Sequence, residues 1–350
     1  MKYSEAIRNA TRQVLHANSD VLVLGLGVPG PTGIFGTTSD LQEEFGGKRV
    51  IDTPSSENAM TGIALGAATA GKRVIMVHMR VDFALLSIEP IVNQAAKWSY
   101  MYGGKLKAPL VIRMIIGRGW GQGPQHSQAL HSWFAHIPGL KVVAPSSPAD
   151  AAGMLISAVE DDAPVLIFEH RWLYNVEEKL PEKLERKSLD GAQVILEGND
   201  ITIVAISYMV IESMRAARFL ATIGVSAEVI DVRNLSNIDI KTINRSVEKT
   251  KRIVVCDIGH KNCSSASEIL SQVFTTSYKS LRSTPSIIAL PDAPTPTAPA
   301  LADTYYPDHN NIIADVVEQL GLSSTVIPKQ PDSNSKKWAD TPDNFYFGPY

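Results

Sequence analysis

The sequence predicts an α/β protein of two domains, each built on a mostly parallel sheet. Three observations carry that reading. Short apolar runs alternate with longer amphipathic stretches, the pattern of strands covered by helices on both faces. A dense charged segment interrupts the pattern near residue 177, after which it restarts. The chain of 350 residues is long enough for two cores, and its 44% hydrophobic and 20% charged composition can fill them.

In order, Val21–Leu24, Val74–Val77, Leu110–Ile112, Lys141–Val143 and Val165–Phe168 read as buried strands of the first domain. Ile88–Met101 and Ser147–Val159 read as helices between them. Glu57–Gly66 reads as a buried helix, opened by Thr53-Pro54-Ser55-Ser56 with Ser55 or Ser56 as its cap. Gly62, Gly66 and Ala70 share one face of that helix, with Ala59 and Ile63 beside them, so another backbone can approach closely. Eight of the eleven residues Glu177–Lys187 are charged, which makes a solvated connector, and Asp190-Gly191 makes a turn. Strands follow at Ile201–Ile206, Ala227–Ile230 and Arg252–Val255, with a helix at Ile211–Gly224. The expected division is 1–176 for the first domain, 177–191 for the connector, 192–321 for the second domain and 322–350 for a polar tail. Four aromatics at the tail's tip, Phe345, Tyr346, Phe347 and Tyr350, suit docking onto a surface.

Composition excludes several functions. The net charge is −3 and no Lys/Arg block exists, which argues against nucleic acid or an anionic membrane as partner. No apolar run reaches membrane-spanning length. Met1–Ala6 has no signal-peptide core. Cys256 and Cys263 make neither a disulfide framework nor a four-ligand metal site, and a reducing cytoplasm is the expected location. Gly25-Leu26-Gly27-Val28-Pro29-Gly30 fits the dinucleotide fingerprint, but Pro31 and Gly33 continue it as loop where the fingerprint needs a helix.

Glu57 is the residue of greatest interest. A carboxylate leading into a run of small apolar residues is costly unless it is paired or offsets the helix dipole. Other polar residues gather where strand ends open into loops, the usual position of ligands in such sheets. They occur in Met79-Arg80-Val81-Asp82-Phe83, Gly123-Pro124-Gln125-His126-Ser127-Gln128 and Phe134-Ala135-His136-Ile137-Pro138-Gly139. Taken singly, Phe83 reads as core, His126 as a loop histidine with His131 as a competitor, and His136 as the residue holding a turn. Arg80 suits either an anion or a snorkelling surface position.

Together with Thr53–Glu57 and with Ala227–Arg233, these segments resemble the β subunit of the thiamine-diphosphate-dependent E1 component of 2-oxo acid dehydrogenase complexes. The resemblance runs from Met1 to about Leu320. It implies a transketolase-like pyrimidine-binding domain followed by a transketolase C-terminal domain. In that family a carboxyl group beside pyrimidine nitrogen N1′ promotes the imino tautomer that activates the cofactor. Glu57 matches that residue, Phe83 the aromatic stacked on the pyrimidine, and His126 the histidine at the substrate end. The resemblance also implies a K⁺ site, mostly of backbone carbonyls, at Leu110, Ala158, Asp161 and Ala163. No Gly-Asp-Gly segment is present, so the diphosphate and its Mg²⁺ are expected on a separate α subunit in an α₂β₂ heterotetramer, with a lipoyl-domain acyltransferase as further partner. Leu26 and Gly27 stand where the family carries acids, and Arg80-Val81 replaces a smaller or aromatic pair. These departures suggest a specialised member. A split transketolase or an acyloin-forming synthase would share Glu57, and a non-catalytic partner of α would not need it.

Overall fold

The computed structural model describes residues 1–119 and 121–326. The chain divides into two compact units. Of the described residues, the first holds Met1–Gly117 and Trp133–Leu189, and the second holds Arg118–Ser132 and residues 190–326. The sequence pattern does not reveal the assignment of Arg118–Ser132 to the second unit. Of the expected tail, residues 327–350 lie outside the described residues, and the docking of their aromatic tip with them.

The first unit carries β1 (Val21–Gly25), β2 (Val50–Asp52), β3 (Arg73–His78), β4 (Leu110–Ile116), β5 (Lys141–Val143) and β6 (Val165–His170). They form one parallel sheet in the order β2-β1-β3-β4-β6-β5. All seven residues of β4 and all six of β6 are buried, which explains the apolar runs Leu110–Ile112 and Val165–Phe168 within them. Each fully buried Ile or Leu there contributes about 1.5–3 kcal/mol. The main helices are α1 (Tyr3–Ala17), α2 (Glu57–Thr69) and α3 (Pro148–Glu160). Buried residues of α1 recur at helical spacing, at Tyr3, Ala6, Ile7, Ala10, Val14 and Leu15, and this face packs on α3. Ser147 caps α3 by accepting from the Asp150 N–H.

Two charges sit inside the sheet. Arg113 on β4 and Glu169 on the adjacent β6 are each 1% exposed. They pair side-on through one guanidinium edge, Nε donating to Oε1 at 2.6 Å and Nη2 to Oε2 at 2.9 Å. The Tyr174 hydroxyl donates to the same carboxylate at 2.7 Å.

The segment expected as a free connector is fastened to the first unit. Its charged residues stay exposed, but Leu184 and Leu189 are buried. Gln13 exchanges two hydrogen bonds with the backbone of Leu184, and the Lys187 N–H donates to Gly153 O. The chain start is bonded to the same stretch: the Met1 ammonium donates to Glu178 O, Lys2 bridges Glu177, and the Tyr3 N–H donates to Val176 O.

The second unit carries β7 (Gln193–Leu196), β8 (Ile201–Ala205), β9 (Ala227–Asp231), β10 (Ile253–His260) and β11 (Ser286–Leu290), in the order β11-β10-β8-β9-β7. Only β7 runs antiparallel. Helices α4 (Met209–Thr222), α5 (Ile240–Thr250), α6 (Ser265–Ser277) and α7 (His309–Gln319) accompany this sheet.

Removing one member of the Arg113–Glu169 pair leaves the other as an uncompensated buried charge. Arg113→Met is therefore expected to cost about 3–5 kcal/mol in denaturant unfolding, and Arg113→Met with Glu169→Leu to recover most of it. A single variant as stable as the wild type would show the pair to be dispensable.

Candidate active site

The strand order reverses at β1, whose neighbours are β2 on one side and β3 on the other. The connections leave this point in opposite directions, and the carboxyl ends of the strands open a crevice there. The crevice is a cleft lined by Leu26 after β1, Thr53 and Pro54 after β2, Glu57, Met76–Met79 at the end of β3, and Phe83. Gly25 permits this convergence: a Cβ at that position would lie 2.5 Å from the Val77 carbonyl oxygen.

Glu57 is the first residue of α2 and is half-buried. Ser56, one of the two expected caps, occupies the N-cap position, but its side chain makes no cap bond. Among the described residues the Glu57 carboxylate has no hydrogen-bond or ion-pair partner. Phe83, in the turn Val81–Ala84, is likewise half-buried and faces the same cleft. The other walls are mostly apolar. Leu26 occupies one expected acid position, and the Gly27 N–H donates to Asp52 Oδ1 at 2.8 Å. Arg80 is buried and donates to Gly117 O at 3.1 Å.

α2 is buried on one side only. Thr61, Ala64, Leu65 and Ala68 face inward, whereas Ala59, Gly62, Ile63, Gly66 and Ala70 are exposed. Among the described residues, nothing packs within 4 Å of a Cβ placed at Gly62 or Gly66.

His78 was not singled out by the sequence. It ends β3, is 3% exposed and lines the cleft. Its Nε2 lies 3.2 Å from Thr61 Oγ1, and the Thr61 hydroxyl donates to Ser87 Oγ at 3.0 Å. Burial pulls its imidazole down to about 4, so it is neutral at physiological pH. The available signal was its place, at the carboxyl end of a strand beside the switch point.

The other histidines separate. His126 is exposed, in the Gly123–Gln128 turn of the segment that clusters with the second unit. His131 is fully buried, with Nε2 2.9 Å from Asp257 Oδ1. Burial works to raise the Asp257 carboxyl, but His131 and the N–H groups of Gly259 and Ala266 outweigh it and hold it below the usual range. His136 is exposed. Around the four residues of the expected K⁺ site the donors are partly committed. Arg73 Nη1 donates to the carbonyls of Val159 and Asp161, and Lys141 binds the Asp161 carboxylate. Ala158 O accepts from the Asp161 N–H. Beyond the fingerprint-like loop, Ile34 and Phe35 are left-handed, with φ of 42° and 56°, so no regular helix N-terminus opens there.

Residues 1–177 match the family described as the transketolase pyrimidine-binding domain, and residues 190–312 the transketolase C-terminal domain. The chain is 39% identical over 319 residues to the β subunit of acetoin:2,6-dichlorophenolindophenol oxidoreductase of Cupriavidus necator, covering 88% of this chain and 94% of that one. It is 37% identical over 312 residues to the β subunit of the pyruvate dehydrogenase E1 component of Rickettsia conorii, covering 89% and 96%. A solved structure described as a split-gene transketolase, an inactive β4 tetramer, shares the fold with a TM-score of 0.74 at 22% identity, over 92% of this chain and 99% of that one. With both transketolase domains in sequence and β-subunit relatives along nearly its whole length, the chain belongs to the transketolase-like family of thiamine-diphosphate-dependent dehydrogenase E1 β subunits.

Proposed function

We propose that the chain is the β subunit of a thiamine-diphosphate-dependent 2-oxo acid decarboxylase/dehydrogenase, holding the pyrimidine half of the cofactor and activating it through Glu57. The observation that carries this reading is a half-buried carboxylate without a partner, sharing a switch-point cleft with a half-buried phenyl ring. The donor set fits an aminopyrimidine: one carboxyl group for a ring nitrogen and a flat aromatic face, within mostly apolar walls. When bound, the cofactor supplies a carbanion-forming centre that accepts the bond electrons of the departing carboxylate. Glu57 holds a proton at the ring nitrogen, and the apolar walls keep the carboxyl group out of bulk water. Phe83 orients the ring by stacking. His126 donates to the substrate carboxylate or a developing oxyanion.

The diphosphate and Mg²⁺ belong to an α chain in this reading, because the sequence has no Gly-Asp-Gly segment. Each cofactor lies at an α–β junction of an α₂β₂ heterotetramer, and the exposed small-residue face of α2 is one of the subunit contacts. A monovalent cation at Leu110, Ala158, Asp161 and Ala163 shares one carbonyl, that of Asp161, with Arg73, using the oxygen's second lone pair. Both cysteines are free, in keeping with a cytoplasmic location. As a dehydrogenase component the heterotetramer passes its acyl group to a lipoyl-domain acyltransferase. The Cupriavidus relative supports a second reading, in which the substrate is an acyloin and the bond cleaved joins two carbonyl-derived carbons. Turnover with a panel of 2-oxo acids and acetoin, with α partner, Mg²⁺ and dichlorophenolindophenol as acceptor, separates the two.

Glu57→Gln in the assembled enzyme is expected to lose about 10²–10⁴-fold in kcat with its circular dichroism intact. Wild-type turnover would refute the assigned role. The isolated chain is expected to show no sub-micromolar, Mg²⁺-dependent binding of thiamine diphosphate by calorimetry; such binding would overturn the division of the cofactor between chains. Gly66→Leu is expected to leave the isolated chain folded and to prevent the heterotetramer, whose obligate interfaces bury well over about 2,000 Å². A full tetramer by light scattering would remove α2 from the interface.

A further inference from the structure

We propose that His131 and Asp257 are positioning residues for His126: their buried pair fixes the end of the segment Arg118–Ser132 on the second sheet and so sets where the substrate-end histidine is held. The inference rests on the role proposed above for His126.

No regular structure carries His126. Between Ile116 and His131 no described residue lies in a helix or strand. The segment is instead fastened at points. At its start the Arg118 guanidinium lies over the rings of Tyr306 at 4.4 Å and Tyr208 at 5.5 Å. In its middle a Cβ at Gly123 would lie 2.6 Å from Thr297 Oγ1, so the backbone runs against that residue. At its end His131 Nε2 lies 2.9 Å from Asp257 Oδ1, and Ser132 Oγ accepts from the Ser265 N–H at 2.9 Å. Each of these partners belongs to the second unit.

The His131 anchor is the directional one. Both side chains of the pair are fully buried. The Asp257 carboxylate also accepts from the N–H groups of Gly259 at 2.9 Å and Ala266 at 3.2 Å, the latter in the first turn of α6. Held below the usual carboxylate range, it has no hydrogen to give, so His131 Nε2 carries the proton and donates. Gly259 makes room for the ring: a Cβ there would lie 3.1 Å from His131 Cε1. A buried carboxylate and its partner are often no more stabilising than apolar side chains of the same volume. What this pair adds is orientation, because the ring N–H must point at one oxygen. His126 lies five residues before His131. A five-residue tether with a loose end spans up to about 17 Å. A misplacement of only about 1 Å at a reacting group can cost about 10²-fold in rate.

The test combines amide hydrogen exchange in the full chain with turnover in the assembled enzyme, using the best substrate of the 2-oxo acid and acetoin panel. The paired variant His131→Leu with Asp257→Leu removes the bond and leaves no buried charge. In it the amides of residues 121–130 are expected to exchange about tenfold faster or more, while those of β10 keep their wild-type rates. Its kcat/KM is expected to fall about 10–100-fold, with thiamine diphosphate affinity unchanged. His131→Gln, whose amide keeps a donor for Asp257, is expected to match the wild type on both counts. Adding His126→Ala to the paired variant is expected to lower kcat/KM no further than His126→Ala alone. Unchanged exchange in the paired variant, equal losses in His131→Gln, or an additive loss with His126→Ala would reduce the pair to packing. Should the paired variant misfold by circular dichroism, Gly259→Ala, which presses on the His131 ring, decides by the same exchange and turnover. Failure here with an inactive His126→Ala overturns the inference alone; wild-type turnover in His126→Ala overturns the role from which it starts.

Discussion

The reversal of strand order at β1 is the constraint on which the site depends. A parallel sheet must send its crossovers over one face or the other, and only where their direction changes do two adjacent strand ends part. Here that place lies between β1 and β3. Loops that are far apart in the chain, after residues 25, 52 and 78, are delivered to a single cleft by hydrogen-bonded neighbours. The strands are rigid because they are buried, and so the cleft inherits their precision. Gly25 is the local expression of this: where β1 runs closest to the Val77 carbonyl there is no room for a side chain.

The cleft is sparing with charge. Leu26, Met76, Val77 and Met79 line it with Glu57, and burial keeps His78 neutral at physiological pH. The contrast with the sheet interior is instructive. There Glu169 is neutralised completely by Arg113 and Tyr174 and can only be structural. Two buried or half-buried glutamates thus have opposite characters, and partners rather than burial distinguish them.

Much of this was legible in the sequence. The continuous apolar runs of β1, β3, β4, β5 and β6 placed those strands, because burial on both faces leaves no alternation to confuse with loop. Glu57 and Phe83 were singled out from their motif positions after strand ends, and both line the cleft. What escaped notice was non-local. The three-residue β2 is too short to have a period, and the edge strand β7 is partly exposed and antiparallel. The association of Arg118–Ser132 with the second unit depends on contacts such as His131 with Asp257, 126 residues apart. His78 looked like the end of an apolar run because its partners, Thr61 and Ser87, are brought to it only by folding. The charged segment after Val176 was read correctly as solvated, yet two leucines and three backbone bonds fasten it along α1 and α3.

The first unit ends where it begins. Its opening residues Met1, Lys2 and Tyr3 are hydrogen-bonded to Glu178, Glu177 and Val176. Tyr3 also reaches Pro145, and Ser4 reaches Tyr174. On the ribosome this makes the earliest residues wait for some of the latest of their own domain. At about 5–20 residues per second, α1 spends roughly ten seconds or more without the α3 surface that buries it. Its apolar stripe lacks that partner during the interval. The bonds of Met1, Lys2 and Tyr3 can form only once residues 176–178 have been made, so the first domain closes on its own last residues.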